Sequence, residues 1–187
     1  MSSTVRTGAI FILIIAAFVA AIAGFKHRGR VEAALHHLVP GRSGAPIAVG
    51  KQFPALDLAS PAGDRVRFTP APGKVTIVNV FATWCPPCRA ESPAYASFST
   101  SAAARGVDIV AIDRAETAQK VDAFRREFGL TFPYLIDDGS STKDILGARA
   151  MPVTIVVDGQ GIVRADIAGP MTTERLKALV ADVTRPL

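Results

Sequence analysis

Two cysteines occur in the 187 residues, and they stand two positions apart in Ala82-Thr83-Trp84-Cys85-Pro86-Pro87-Cys88-Arg89. That spacing can cycle between dithiol and disulfide, hold part of a metal site, carry a haem or form a structural bridge. A zinc site needs about four ligands. The chain has no second cysteine pair, and its three histidines (His27, His36 and His37) all precede residue 50, so no metal site is expected. Haem attachment requires a histidine directly after the second cysteine, where this chain has Arg89. A purely structural bridge stays open as an alternative, because disulfides persist in exported proteins. A two-residue loop, however, restrains little chain entropy and adds little stability. Redox exchange is the chemistry that the pair suits best, with the Cys85–Cys88 disulfide as the redox-active group and no separate cofactor.

Exchange needs a thiolate, so the elements that carry the sulfurs decide how well it runs. The β-branched run Val75 to Phe81 (VTIVNVF) reads as a strand buried on both faces. The cysteines follow at once, where a helix should start and run past Tyr95 toward Ala103. A helix N-terminus offers partial positive charge and unpaired N–H groups, and both lower a thiol pKa. Cys85, at the first turn, is therefore the expected nucleophile. Cys88, one turn further in, is expected to be less exposed and to resolve the mixed disulfide. Pro86 and Pro87 suit early helical positions, where missing N–H donors cost little, and their fixed φ holds the two sulfurs in bridging reach.

From Gly50 onward the pattern is that of a mixed α/β domain covering residues 50–187. Short strands are expected at Ala55–Leu58 and Val66–Phe68 around the turn-rich Ser60-Pro61-Ala62-Gly63-Asp64. Val107–Asp113 reads as a buried strand, and Ala118–Phe128 as an amphipathic helix with Val121, Phe124 and Phe128 on one face. A brief strand at Tyr134–Ile136 and a short helix at Lys143–Leu146 come next. Val153–Val157 pairs with Ile162–Ile167 through Asp158-Gly159-Gln160-Gly161, a hairpin connection. Thr172 caps a final helix bearing Leu176, Leu179, Val180 and Val183 on one face. Strands alternating with helices, then a hairpin and a terminal helix, imply a sheet covered on both faces.

The formal net charge is +5, and its location matters more than its size. Five basic residues (Arg6, Lys26, Arg28, Arg30 and Arg42) and one acid, Glu32, fall before residue 51, so the remainder is close to neutral. No basic stripe interleaved with aromatics marks the globular part, and nucleic-acid binding is not expected. After a tail at 1–7, residues 8–25 carry no charge and cover roughly 27 Å as a helix, near the lower limit for crossing a bilayer. They read as an uncleaved single-pass anchor, with a signal peptide cleaved after Ala21-Ile22-Ala23 as the rival. Residues 26–49, containing Gly-Arg-Ser-Gly-Ala-Pro, read as a linker. The basic excess after the apolar run would by itself keep the domain inside the cell.

The residues around the cysteines carry a resemblance. Gly73-Lys74, Val78 through Arg89, Glu91, Pro93, Phe132-Pro133 and Met151-Pro152-Val153-Thr154, with Asp158-Gly159 after the strand, resemble the thioredoxin superfamily. Within it they resemble the membrane-anchored TlpA/ResA-like thiol–disulfide oxidoreductases, over about Gly50 to Val183. The resemblance implies a thioredoxin-like α/β fold, a mixed sheet flanked by helices with an N-terminal β-hairpin extension. It also implies a cis Pro152 facing the cysteines, with the Met151 backbone free to hydrogen-bond an extended substrate. Trp84, Pro86 and Pro87 would form the surrounding docking surface, core packing being the alternative for Trp84. Asn79 stands where thioredoxins proper carry a buried acid, so no proton relay starts there. Glu91, an acid near the thiols in ResA-like proteins, would tune them or take a proton; a solvated helix-surface charge is its alternative. Arg89 reads as a surface residue near the site.

The resemblance further implies protein disulfide substrates on the outer, periplasmic side of the cytoplasmic membrane and a transmembrane reductant that recharges the pair. The cysteines enclose no histidine of the kind that makes strong oxidants, which favours a reductase. The cytochrome c biogenesis branch typically carries Gly-Val-Tyr-Gly-x-Pro-Glu-Thr at the cis-proline. Here the stretch is Gly147-Ala148-Arg149-Ala150-Met151-Pro152-Val153-Thr154, which favours a more general TlpA-like role. A copper-binding assembly factor and a thiol peroxidase are the rival functions. The first uses a wider cysteine spacing plus a domain histidine, and the second a lone peroxidatic cysteine.

Overall fold

The run Val75–Phe81 lies inside a seven-stranded sheet because six of its seven residues are buried. In the computed structural model the described residues are 47–184. The tail at 1–7, the apolar segment at 8–25 and the linker through residue 46 lie outside them. Among the described residues no helix is long and apolar enough to cross a membrane.

In chain order the elements are β1 (Leu56–Ala59), β2 (Arg65–Phe68), β3 (Val75–Phe81), α1 (Pro86–Ser99), β4 (Val107–Arg114), α2 (Ala118–Phe128), β5 (Tyr134–Asp137), β6 (Val153–Val157), β7 (Val163–Ala168) and α3 (Thr173–Thr184). The strands are ordered β2-β1-β5-β4-β3-β6-β7. β3, β4 and β5 run parallel, joined by crossovers that contain α1 and α2. β1 pairs antiparallel with β2 as a hairpin and joins β5 through Ala59 and Ile136. β6 runs antiparallel to β3 and β7.

Alternation along the central strands divides the core in two. Ile77 and Phe81 join Tyr95 and Phe98 of α1, Val121 and Phe124 of α2, and Leu176 and Val180 of α3. Val78 and Val80 join Ile112, Val153 and Ile155 on the other side, closed by Leu146, Ala148, Phe53 and Ile47. Because Ile47 is buried in that cluster, the domain packs three residues earlier than the turn chemistry around Gly50 suggested.

Two helical expectations are corrected. α1 stops at Ser99 rather than running toward Ala103, and Ala102–Ala104 form a separate 3-10 turn. The cause is a Ser-Thr-Ser run whose hydroxyls take over the last carbonyls. Ser99 Oγ donates to Ala96 O at 2.9 Å and Ser101 Oγ to Phe98 O at 2.7 Å. The short helix expected at Lys143–Leu146 is instead a π-helical turn at Ser141–Ile145. Asp137 sets it by accepting the N–H groups of Ser141 at 3.2 Å and Thr142 at 2.8 Å. α2 ends where Gly129 takes φ 66°, a left-handed cap that glycine adopts without a Cβ penalty. Thr172 holds the start of α3, its Oγ1 accepting from Arg175 N at 3.2 Å.

Candidate active site

Cys85 and Cys88 are disulfide-bonded, with their Cα atoms 5.2 Å apart. Cys85 is the N-cap of α1 and the two prolines fill the first two helical positions. A helix start leaves four N–H groups without intrahelical partners, and prolines remove two of them. The next, Cys88 N–H, donates to Cys85 Sγ at 3.3 Å. A thiolate at Cys85 thus meets both the helix dipole and a directed hydrogen bond.

The two sulfurs differ in what they face. Cys88 is 1% exposed, on the buried face of α1. Cys85 is 4% exposed, yet it borders an open groove of about 510 Å³ together with Trp84, Pro86, Pro87, Met151, Arg114 and Arg149. The register Val80↔Val153 sets the start of β6 beside the end of β3, and the Met151–Pro152 bond just before it is cis. Trp84 is 64% exposed at the rim, so core packing is not its role.

Behind the disulfide lies a sealed polar cluster. Glu91 is 2% exposed, which overturns its reading as a solvated helix-surface charge. Its Oε1 accepts from Asn79 Nδ2 at 2.8 Å and its Oε2 from Met171 N at 2.9 Å. Burial raises its pKa from 4.5 to about 7, with those two hydrogen bonds opposing the rise. Asn79 and Cys88 both line a small cavity of about 10 Å³ with Tyr95. The Tyr95 hydroxyl pairs with Thr154 Oγ1 at 2.8 Å, and burial followed by the charge of Glu91 pushes its pKa up. The buried acid missing at position 79 is therefore supplied from α1, with Asn79 as its hydrogen-bond donor.

A second acidic device holds the turn before Cys85. Thr83 donates to Glu116 twice, from N at 2.6 Å and from Oγ1 at 2.7 Å. Glu116 N in turn donates to Asp113 Oδ1 at 2.9 Å. Burial raises Asp113 from 3.8 to about 7; the Glu116 carboxylate adds to the rise, and the N–H groups of Glu116 and Arg114 oppose it. Between them Ala115 adopts φ 65°, uncommon for a residue with a Cβ. The turn it makes lets Arg114 border the groove while Glu116 grips Thr83.

Arg89 is more than the surface residue expected. It ion-pairs with Glu127, donates to Thr83 O at 3.3 Å and lies over the Phe128 ring at 5.1 Å. It therefore ties the cysteine loop to α2.

Of the site residues expected from sequence, Trp84, Cys85, Pro86, Pro87 and Met151 border the groove, Pro152 follows Met151 through the cis bond, and Cys88 and Glu91 lie on the closed side. Sequence reasoning missed Glu116, Asp113 and Met171. Glu116 left only a faint signal, an acid just past a strand end, and the backbone N–H of Met171 left none.

The redoxin family profile matches residues 48–183. The thiol–disulfide oxidoreductase ResA of Geobacillus thermodenitrificans is 34% identical over 131 residues, covering 70% of this chain and 75% of that protein. ResA of Bacillus thuringiensis is 30% identical over 138 residues, with 74% and 80% covered. Among solved structures, StoA from Bacillus subtilis superposes with a TM-score of 0.57 at 26% identity, covering 68% of this chain and 96% of its own. A thioredoxin-family thiol:disulfide interchange protein from Chlorobium tepidum gives 0.62 at 28% identity, with 73% and 97% covered. With matches of this extent over the part of the chain that carries the cysteine pair, the protein belongs to the redoxin family and, within it, to the ResA-like thiol–disulfide oxidoreductases.

Proposed function

We propose that the reduced pair donates two electrons to disulfides of exported proteins, with Cys85 as the attacking sulfur and Cys88 as the resolving one. The observation that carries this assignment is the asymmetry of the pair: Cys85 borders the groove and accepts the Cys88 N–H, while Cys88 is sealed beneath.

Cys85 thiolate attacks one sulfur of the substrate disulfide, forming a mixed disulfide and expelling a substrate thiolate that takes up a proton. Cys88, once deprotonated, attacks Cys85 Sγ, closes the Cys85–Cys88 bond and expels the second substrate thiolate. The substrate gains two electrons and two protons. Glu91, titrating near neutrality, accepts the Cys88 proton at the start of the second step. Trp84, Pro86 and Pro87 form the docking rim, and the Met151 backbone beside Pro152 pairs with the extended substrate segment.

Export is supported by the uncharged run at 8–25 and by the resemblance to membrane-anchored oxidoreductases, which together outweigh the basic excess that follows the run. In this reading the run is a single-pass anchor and the domain faces the periplasm. A dithiol reductant in the membrane then returns the pair to its reduced state, and no cofactor beyond the disulfide takes part. A wider range of clients than apocytochrome c fits the sequence at Gly147–Thr154. The domain gives no support to a copper-binding assembly factor or a thiol peroxidase.

Cys88→Ser tests the assignment. It should leave a stalled mixed disulfide through Cys85, and capture through Cys88 in the reciprocal Cys85→Ser variant would reverse the roles. A redox potential measured against glutathione checks direction, and a value near those of strongly oxidising periplasmic catalysts would refute the reductase reading.

A further inference from the structure

The groove beside Cys85 contains more positive charge than its surroundings neutralise. Arg114 and Arg149 both border it, and among the described residues neither has an ion-pair partner. Arg114 directs Nη1 to Ala148 O at 3.1 Å, which fixes it against the loop that carries Arg149. Four of its five N–H donors remain for other partners. Arg149 is exposed on that loop.

The nearby acids are engaged elsewhere. Asp137, the one carboxylate bordering the groove, is 2% exposed and accepts from Gly139 N, Ser141 N, Thr142 N and Thr142 Oγ1. Asp138 pairs with Arg65, Glu127 with Arg89, and Glu116 holds Thr83. Trp84, Met151 and the two prolines add apolar surface to the groove.

We propose that this groove selects protein disulfides whose cysteine is flanked by acidic side chains, with Arg114 and Arg149 as the residues that read the carboxylates. The inference rests on the oxidoreductase reading and names the substrate class of the same site. Its chemical logic is a charge problem. The attacking species is an anion, and a disulfide set among carboxylates repels it and also disfavours the departing thiolate. Two guanidinium groups beside the reacting sulfurs offset both penalties, and their planar donor sets suit carboxylates. A carboxylate within two positions of the substrate cysteine lies within about 7 Å of it along an extended chain.

The test uses the reduced full-length protein and three matched disulfide-bridged peptides that carry Glu, Gln or Lys on both sides of one cysteine. The expected order of kcat/KM at low ionic strength is Glu, then Gln, then Lys, with about tenfold between the extremes. In 0.5 M salt the spread should shrink toward unity. Arg149→Glu should compress or invert the order, whereas Arg175→Glu, the same charge change on an exposed residue of α3, should preserve it. Equal rates for the Glu and Lys peptides, or an order unaltered by Arg149→Glu, would overturn the inference. Reduction of none of the three peptides would strike the oxidoreductase reading itself, and this inference with it.

Discussion

On the groove side of the disulfide, Trp84 is 64% exposed and two arginines stand without carboxylate partners among the described residues; on the opposite side, Glu91 is 2% exposed with both of its oxygens accepting hydrogen bonds. The first surface is open to solvent and to a docking partner. The second is complete in itself. A buried carboxylate tolerates its site only when protonated or well bonded, and titration near 7 lets Glu91 move between those conditions at physiological pH. In the proposed reading, recognition and proton handling fall on different sides of one sulfur pair, with the start of α1 as the wall between them.

Removing the sulfurs tests whether the two sides serve one reaction. Cys85→Ser should reduce turnover of a protein disulfide to the uncatalysed background, while Cys88→Ser should retain the first attack and accumulate mixed disulfide on non-reducing gels. Equal trapping by both variants would erase the distinction between front and back.

Glu91→Gln probes the sealed side alone. It keeps the shape and can still accept from Met171 N–H, with the Asn79 amide turned to accept from the new Nε2, but it cannot carry a proton. The exchange rate at pH 7 should fall about 10²-fold, and the inflection near pH 7 in the rate profile should vanish. An unchanged profile would reduce Glu91 to a packing role.

Stability gives an independent view of the same group. A carboxyl whose folded pKa lies above its unfolded value binds its proton more tightly in the native state, so that contribution is present below about 4.5 and is lost as pH rises through 7. The unfolding free energy should fall across that window, with Glu91 contributing about 3 kcal/mol of the decline and Asp113 acting in the same direction. Urea unfolding of Glu91→Gln at several pH values should show the smaller slope. A slope equal to that of the parent protein would mean that burial does not perturb Glu91.

The front side should respond in binding rather than folding. Trp84→Ala is expected to raise KM for a protein substrate roughly 3- to 10-fold, with unfolding free energy altered by less than about 0.5 kcal/mol. A marked loss of stability instead would return Trp84 to the core.

What the sequence made legible follows the range of the interactions. β3, α2 and β6 could be bounded to the residue because each is a short periodic or β-branched run between strong breakers. The end of α1 could not, because Ser99, Thr100 and Ser101 compete for its carbonyls through hydroxyl geometry that no propensity reveals. Cys85, Cys88 and the prolines were readable because their chemistry lies within four consecutive positions. Whether Glu91 faced water or the interior depended on Asn79, twelve residues before it, and on the backbone of Met171, eighty after it. The grip of Glu116 on Thr83 is equally non-local, spanning 33 positions. Such pairings are created by topology, and the sequence offers only the residue types.

The first described residues form a hem along β7: Gly50 N donates to Val163 O, Val163 N to Lys51 O and Phe53 N to Gly161 O. Since β6 runs against β3, this hem lies at the end of the sheet remote from Cys85. Tension arriving along the preceding chain would thus be absorbed at a distant selvage, where backbone hydrogen bonds share the strain. If the segment before residue 47 is the anchor's linker, as proposed, lengthening it should leave the chemistry at Cys85 unchanged.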